Sequence, residues 1–341
     1  MNFLYKFSAV RGIQAGKEYY ISMVPLRLIP KLFPDVTESV LPEYRAQRRI
    51  NEARIPEIRD YILNNRNTYV FSALSAAIDG NFSFVPYGET NLGILEVDMN
   101  AFFLINDGQH RKKAIETALL EDGTLENETI SIVFFKDEGL TRSQQMFTDL
   151  NKHAVKTSNS LATLYDGRDQ LAIATKAVIN NVPFFLQFTD KERDILGKNS
   201  SNLFTLNMIY KANQRIIKNH TCTDEDTSFL IKYWNGVADN IVEWQEVLSK
   251  SIAKKSLREN YIVTLAITIN ALGKLGRYFY ENMDKDMMIY LVNLRKVDWS
   301  RSNRIWIGKT IRENGKVLNN EEAVLLTYNA IKEYLGLSLL Q

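Results

Sequence analysis

The sequence predicts an α+β protein: a mixed sheet with helices over residues 1–160 and a mainly helical second half over residues 161–341. Three observations carry this expectation. Short β-branched and aromatic runs recur as far as Phe135. Apolar residues at helical spacing dominate from Leu161 to Leu294. No Pro-rich, Gly/Ser-rich or repetitive linker separates the halves, which predicts two packed parts rather than two tethered ones.

Taken in order, Phe3, Tyr5, Phe7 and Ala9 alternate with other residues, and Tyr19 to Val24 is a second β-rich run, so the chain is expected to open with a hairpin that Pro25 closes. The glycines of Gly12-Ile13-Gln14-Ala15-Gly16 read as its loop. From Tyr44 to Asn64, Ile50, Ile55, Ile58, Tyr61 and Ile62 recur near helical spacing, with Pro56 at a helix start. Thr68 to Ala77 reads as a strand, Gly80 and Asn81 as a turn, and Phe82–Val85 and Ile94–Val97 as further strands. Ala101 to Ile105 hands over through Asp107 and Gly108 to a helix carrying Ala114, Ile115, Ala118 and Leu119. Ile130 to Phe135 is another buried strand, and Thr141 with Gln144 suggests a capping box for a helix reaching about Leu150.

In the second half, Thr189 with Glu192 and Thr223 with Asp226 read as capping pairs. Trp234, Val237, Ile241 and Trp244 trace one apolar stripe. Tyr261 to Leu272 reads as a buried helix, residues 305–311 as a short basic β-like segment, and Asn320 to Leu335 as a final helix.

Composition narrows the class. The 341 residues include 42 Lys plus Arg against 40 Asp plus Glu, a formal net charge of +2, which excludes a wholesale polycation. Apolar residues make up 45% and charged residues 24%, near the globular average. The single cysteine, Cys222, cannot form an intramolecular disulfide, and the three histidines lie far apart, so a reducing cytoplasm is expected and no metal site is assigned. His220 and Cys222 alone are two ligands too few for a zinc site and read as turn residues, while Asp224 and Asp226 suit a helix cap. The first residues lack the apolar core of a leader, and no apolar run approaches membrane-spanning length.

The segment Asn106-Asp107-Gly108-Gln109-His110-Arg111 carries the chemistry. A strand-to-helix junction presents unbonded N–H groups and the positive end of the helix dipole, a natural anion site. Gly108 permits close backbone approach, Arg111 suits a phosphate, and His110 suits proton transfer or hydrogen bonding. Asp107 is either the N-cap of the helix or the holder of a metal, a ribose hydroxyl or local backbone.

The string DGQHR, followed by Lys112, Lys113 and Ala114, resembles the signature of the DGQHR-domain family and, within it, the DndB-like proteins of DNA sulfur modification. Leu41-Pro42 with Arg45-Ala46-Gln47-Arg48-Arg49, the later Arg54, Ile58 and Tyr61, and Phe147 to Asn151 agree in order, so the resemblance covers most of the chain. It implies a ParB/sulfiredoxin-like N-terminal half in which Gly108, Gln109, Arg111, Arg48, Arg54 and Asn151 contact a nucleotide or phosphate. It also implies a DNA-binding accessory protein that regulates its own operon, with double-stranded DNA and other sulfur-modification proteins as partners and a homo-oligomer as an option. Sulfur transfer is not expected, since Cys222 stands alone. The alternative is a nucleotide-binding or nucleotide-hydrolysing enzyme using a nucleoside triphosphate with magnesium, with Asp107 and His110 as its catalytic residues.

Charge distribution supports a polyanionic partner. Arg45 to Arg66 holds six arginines against three acids, and Arg295 to Lys316 holds seven basic residues against two. Lys250, Lys254, Lys255 and Arg258 form a third cluster. The expected DNA contacts are Arg45, Arg49, Lys254, Lys255, Arg301, Arg304, Lys309 and Arg312, with Trp299 and Trp306 either stacking on nucleic acid or filling the core.

Overall fold

The computed structural model describes residues 3–34, 50–152, 157–198, 200–218 and 221–337. The chain divides into two compact units, Met1–Val155 and Lys156–Gln341, each with its own apolar core.

The first unit is built on a mixed sheet. Strands β1 (Leu4–Gln14) and β2 (Lys17–Pro25) pair antiparallel, with Gln14 opposite Lys17. Ala15 and Gly16 between them have φ of 51° and 75°, the positive values of a two-residue hairpin turn whose twist matches the strands. Gly12 therefore lies within β1 opposite Tyr19 rather than in the loop. After a short helix α1 (Ile29–Leu32), α2 (Ile55–Asn64) begins at Pro56 as expected; residues 35–49, including Arg45, Arg48 and Arg49, lie outside the described residues. Next come β3 (Leu74–Asp79), β4 (Phe82–Pro86), β5 (Leu92–Asp98), β6 (Phe102–Asp107), α3 (Gln109–Glu121), β7 (Thr129–Lys136) and α4 (Leu140–Lys152).

The seven strands stand in the order β4-β5-β1-β2-β7-β3-β6, antiparallel everywhere except between β3 and β7. Alternation places Phe7 and Ala9 of β1, Tyr20 and Val24 of β2, and Ile130, Ile132 and Phe134 of β7 in the core, where Ala114, Ile115 and Ala118 of α3 also lie buried. Strand β3, between β7 and the edge strand β6, is buried along Leu74 to Ile78.

Two further expectations fail in this unit for identifiable reasons. The strand over Thr68 to Ala77 begins only at Leu74, because the carbonyls of Ser72 and Ala73 are taken by a distant arginine instead of a neighbouring strand. Thr141 does not cap α4, which already starts at Leu140. The backbone carbonyl of Gly139 accepts from Ser143 N–H, and Asp137 accepts from the Ser143 hydroxyl and Gly139 N–H.

The second unit is helical: α5 (Asn159–Tyr165), α6 (Gln170–Asn181), α7 (Pro183–Phe188), a two-residue parallel pair β8 (Thr189–Asp190) and β9 (Phe204–Thr205), then α8 (Leu206–Ile216), α9 (Asp224–Asn240), α10 (Val242–Leu248), α11 (Lys254–Asn260), α12 (Ala266–Glu281), α13 (Met287–Leu291) and α14 (Glu321–Tyr334). Thr223 and Asp226 form the expected capping box, and Asn320 caps α14. Thr189 and Glu192 form none: Thr189 is in β8, and Asp190 accepts from Glu192 and Arg193 N–H in a turn. The stripe from Trp234 to Trp244 is buried but spans two helices, α9 and α10, which meet at Ile241. Tyr261 to Leu265 precedes α12 rather than joining it. The 305–311 segment has no strand. It contains a single helical turn, Arg304–Trp306, and isolated bridges from Ile311 to Ile307 and Val317.

All four tryptophans lie in this core with no exposure. Phe184 stacks on Trp244 with ring centroids 4.7 Å apart, and Asn213 uses both ends of its amide, donating to Thr175 and accepting from Trp234 Nε1. One acid is less well provided for. Glu243 opens α10 with Oε2 buried and unpartnered, and burial pushes its pKa up to about 7. Its folded form binds a proton more tightly than the unfolded chain, so its contribution to stability is complete below the ordinary carboxyl range and is lost as pH rises toward 7. Glu243→Gln should therefore raise stability at pH 8 by about 1–2 kcal/mol, a figure reduced for the part of the group that remains in water, and by much less at pH 5. Urea unfolding followed by tryptophan fluorescence reads this unit directly; an equal effect at both pH values would contradict it.

Candidate functional site

Strand β6 delivers Asn106 and Asp107 to a turn at Gly108, from which α3 departs. Gly108 has φ of +103°, and a Cβ there would stand 2.4 Å from Leu74 Cδ2, so both backbone and space require glycine. No side chain caps α3. Asp107, one of the two expected ways to cap it, instead accepts from Arg111 Nη2 at 2.7 Å. Arg111 Nη1 donates to the carbonyls of Ser72 at 2.6 Å and Ala73 at 2.9 Å and also meets the Ser72 hydroxyl. The guanidinium thus fastens the segment before β3 to the turn, and a phosphate at its two terminal nitrogens would have to displace existing bonds.

His110 Nε2 accepts from Asn51 N–H at 3.0 Å. The same turn lines a cleft of about 270 Å³, closed by Arg54 and Ile58 beside α2 and by Phe147 of α4. Beneath it lie two unsatisfied amides. Asn106, fully buried, donates from Nδ2 to Met146 Sδ and leaves Oδ1 without a partner, and the buried Gln109 Nε2 is also unpartnered. The open helix N-terminus, the Arg54 cation and the Gln109 amide outweigh Asp107, whose charge Arg111 already offsets, so the balance of the cleft favours an anion.

Of the residues expected at this site, Arg54, Asp107, Gly108, Gln109, His110 and Arg111 come together. Arg48 lies outside the described residues, as does the side chain of Asn151. Asn106, which opens the singled-out segment, and Ile58 and Phe147, which belong to the matching segments, were not assigned as site residues but also line the cleft.

The basic residues of the helical unit divide into two groups. Arg301 is partly buried and donates to the carbonyls of Tyr261 and Arg258, and burial lowers its pKa; Arg258 in turn donates to the carbonyls of Gly197, Lys198 and Ser200. Lys309 donates to Ile305 O, and Lys254 lies over the Phe188 ring at 5.3 Å. Lys255, Arg304 and Arg312 are exposed. None of the seven basic residues from Arg295 to Lys316 forms an ion pair among the described residues. Trp299 and Trp306 stack on each other at 5.6 Å with no exposure, so they are core residues and present no platform to nucleic acid.

Burial pushes the Cys222 thiol up, away from the thiolate that sulfur chemistry uses. Among the described residues no three His, Cys, Asp or Glu side chains converge as a metal-binding group, and no helix is long and apolar enough to cross a membrane.

The fold and cleft define an α+β protein with a glycine-hinged, anion-favouring strand-to-helix turn. A family model described as DndB, DNA-sulfur modification-associated, matches residues 7–338. The chain belongs to that family, which places it in DNA sulfur modification systems. No curated protein and no solved structure matches it.

Proposed function

We propose that this protein is a DNA-binding accessory component of a DNA phosphorothioation system and that it regulates transcription of its operon. The observation that carries the reading is the set of basic side chains without ion pairs between Arg295 and Lys316, in a chain whose family is tied to DNA modification. Exposed Arg304 and Arg312, with Lys255, supply mobile cations for the phosphate backbone, while Arg301 and Lys309, already bonded to carbonyls, act as local supports. Arg304→Ala with Arg312→Ala should weaken binding to duplex DNA and flatten the plot of log affinity against log salt by about 2, close to one per lost phosphate contact. An unchanged slope would remove this surface from the interface.

A second reading is supported by the unpartnered Gln109 Nε2 donor and the uncapped start of α3: the cleft takes the phosphates of a nucleotide, as the resemblance to ParB/sulfiredoxin-like folds suggests, and Asp107 and His110 take part if the nucleotide is hydrolysed with magnesium. Calorimetric titration with ATP, CTP and GTP in the presence of magnesium tests it. Arg54→Ala should weaken binding about tenfold or more, as loss of a charge-assisted contact would. Absence of binding to the wild-type chain, or binding indifferent to Arg54, would refute it.

A further inference from the structure

The helical unit holds a second concave site, of about 340 Å³, which shares no residue with the DGQHR cleft. One wall is the outward face of α8, where Asn207, Tyr210, Lys211 and Gln214 follow one another at helical spacings of three, four and seven, while Leu206, Ile209, Ala212, Asn213 and Ile216 point into the core. The side chains of Asn207, Lys211 and Gln214 make no hydrogen bond or ion pair among the described residues, so two complete amides and an ammonium face the cavity rim uncommitted.

The facing wall carries Asp166 and Asp169. Asp169 is occupied: one oxygen caps α6 through the N–H groups of Leu171 and Ala172, and the other accepts from the Tyr210 hydroxyl. That bond anchors the Tyr210 ring within the lining, and burial together with Asp169 raises its pKa, so the phenol keeps its proton. Burial alone would push Asp166 up, but the N–H groups of Asp169 and Arg168 on its Oδ1 outweigh it; the group remains a carboxylate, with no hydrogen bond to Oδ2 among the described residues.

These groups match the parts of one kind of ligand. A free Asn or Gln amide offers a donor and an acceptor side by side, the complement of the amino and ring-nitrogen edge of adenine. An aromatic wall accepts the face of a planar base, a carboxylate accepts from sugar hydroxyls, and one lysine balances one phosphate. With two carboxylates against one ammonium, the lining opposes a polyphosphate. We infer that this pocket binds a free adenine nucleotide carrying a single phosphate.

Titration of the full chain with AMP, IMP and ATP tests the inference. AMP should bind, and IMP, which lacks the amino donor, should bind about tenfold or more weakly. ATP should bind more weakly than AMP in an Arg54→Ala background, where the other cleft is disabled. Asn207→Ala with Gln214→Ala removes side chains that hold nothing in the fold; it should weaken AMP binding about tenfold or more while leaving the circular dichroism unchanged. Arg54→Ala should leave AMP binding intact, which separates this site from the DGQHR cleft. Absence of AMP binding at millimolar concentration, equal binding of AMP and IMP, or full binding by the double variant would overturn it.

Discussion

Arg111 is the residue on which the first unit turns. Its two terminal guanidinium nitrogens hold Asp107 on one side and the Ser72 and Ala73 carbonyls on the other. Side chain to backbone, that arrangement ties the end of β6, the start of α3 and the approach to β3 into one junction. The charge of Asp107 is offset inside the junction, and the carbonyls that could not join a ladder find donors there. Gly108 makes the geometry possible, since any side chain would meet Leu74. What remains facing the cleft is Arg54, the Gln109 amide and the first N–H groups of α3, together with the unpartnered Asn106 Oδ1.

The first part of the DGQHR string is thereby divided between two tasks. Asp107, Gly108 and Arg111 build the turn, whereas Gln109 and His110 line the cleft, His110 bonded to the backbone of Asn51 and Gln109 with its Nε2 unpartnered. A similar division runs through the basic residues of the second unit. Arg258 and Arg301 close carbonyl-rich corners, and Arg304 and Arg312 stand in solvent. Counting charges along a segment does not separate these roles; the carbonyl partners do.

How much of this was legible in the sequence depends on how far each signal reaches. The opening hairpin, the Pro56 helix start, the strand, turn and helix around Gly108, and the Thr223 capping box all rest on residues a few positions apart, and each lies where expected. The failures involve distant partners. Thr68 to Ser72 has strand-like composition, yet the Thr68 and Tyr69 N–H groups bond to Asn65 O, Val70 N–H to the Tyr61 hydroxyl, and the Ser72 carbonyl to Arg111, 39 residues beyond it. Thr189 and Glu192 have capping-box spacing, but Thr189 pairs with Phe204 in a sheet. Trp299 and Trp306 sit among basic residues and still belong to the core, because their rings stack on each other within it. At the candidate site, the string itself announced the turn, while the carbonyls that anchor Arg111 leave no mark in the sequence.

The central claim is that Arg111 serves the architecture of the turn and leaves ligand contact to its neighbours. Hydrogen exchange of residues 72–79 and 109–121 in ligand-free Arg111→Ala measures this most directly. The account predicts exchange faster by about thirtyfold or more in both segments, equivalent to roughly 2 kcal/mol of lost charge-assisted bonding, with the helical unit unaffected. Unchanged protection in both segments would contradict it and return Arg111 to the ligand.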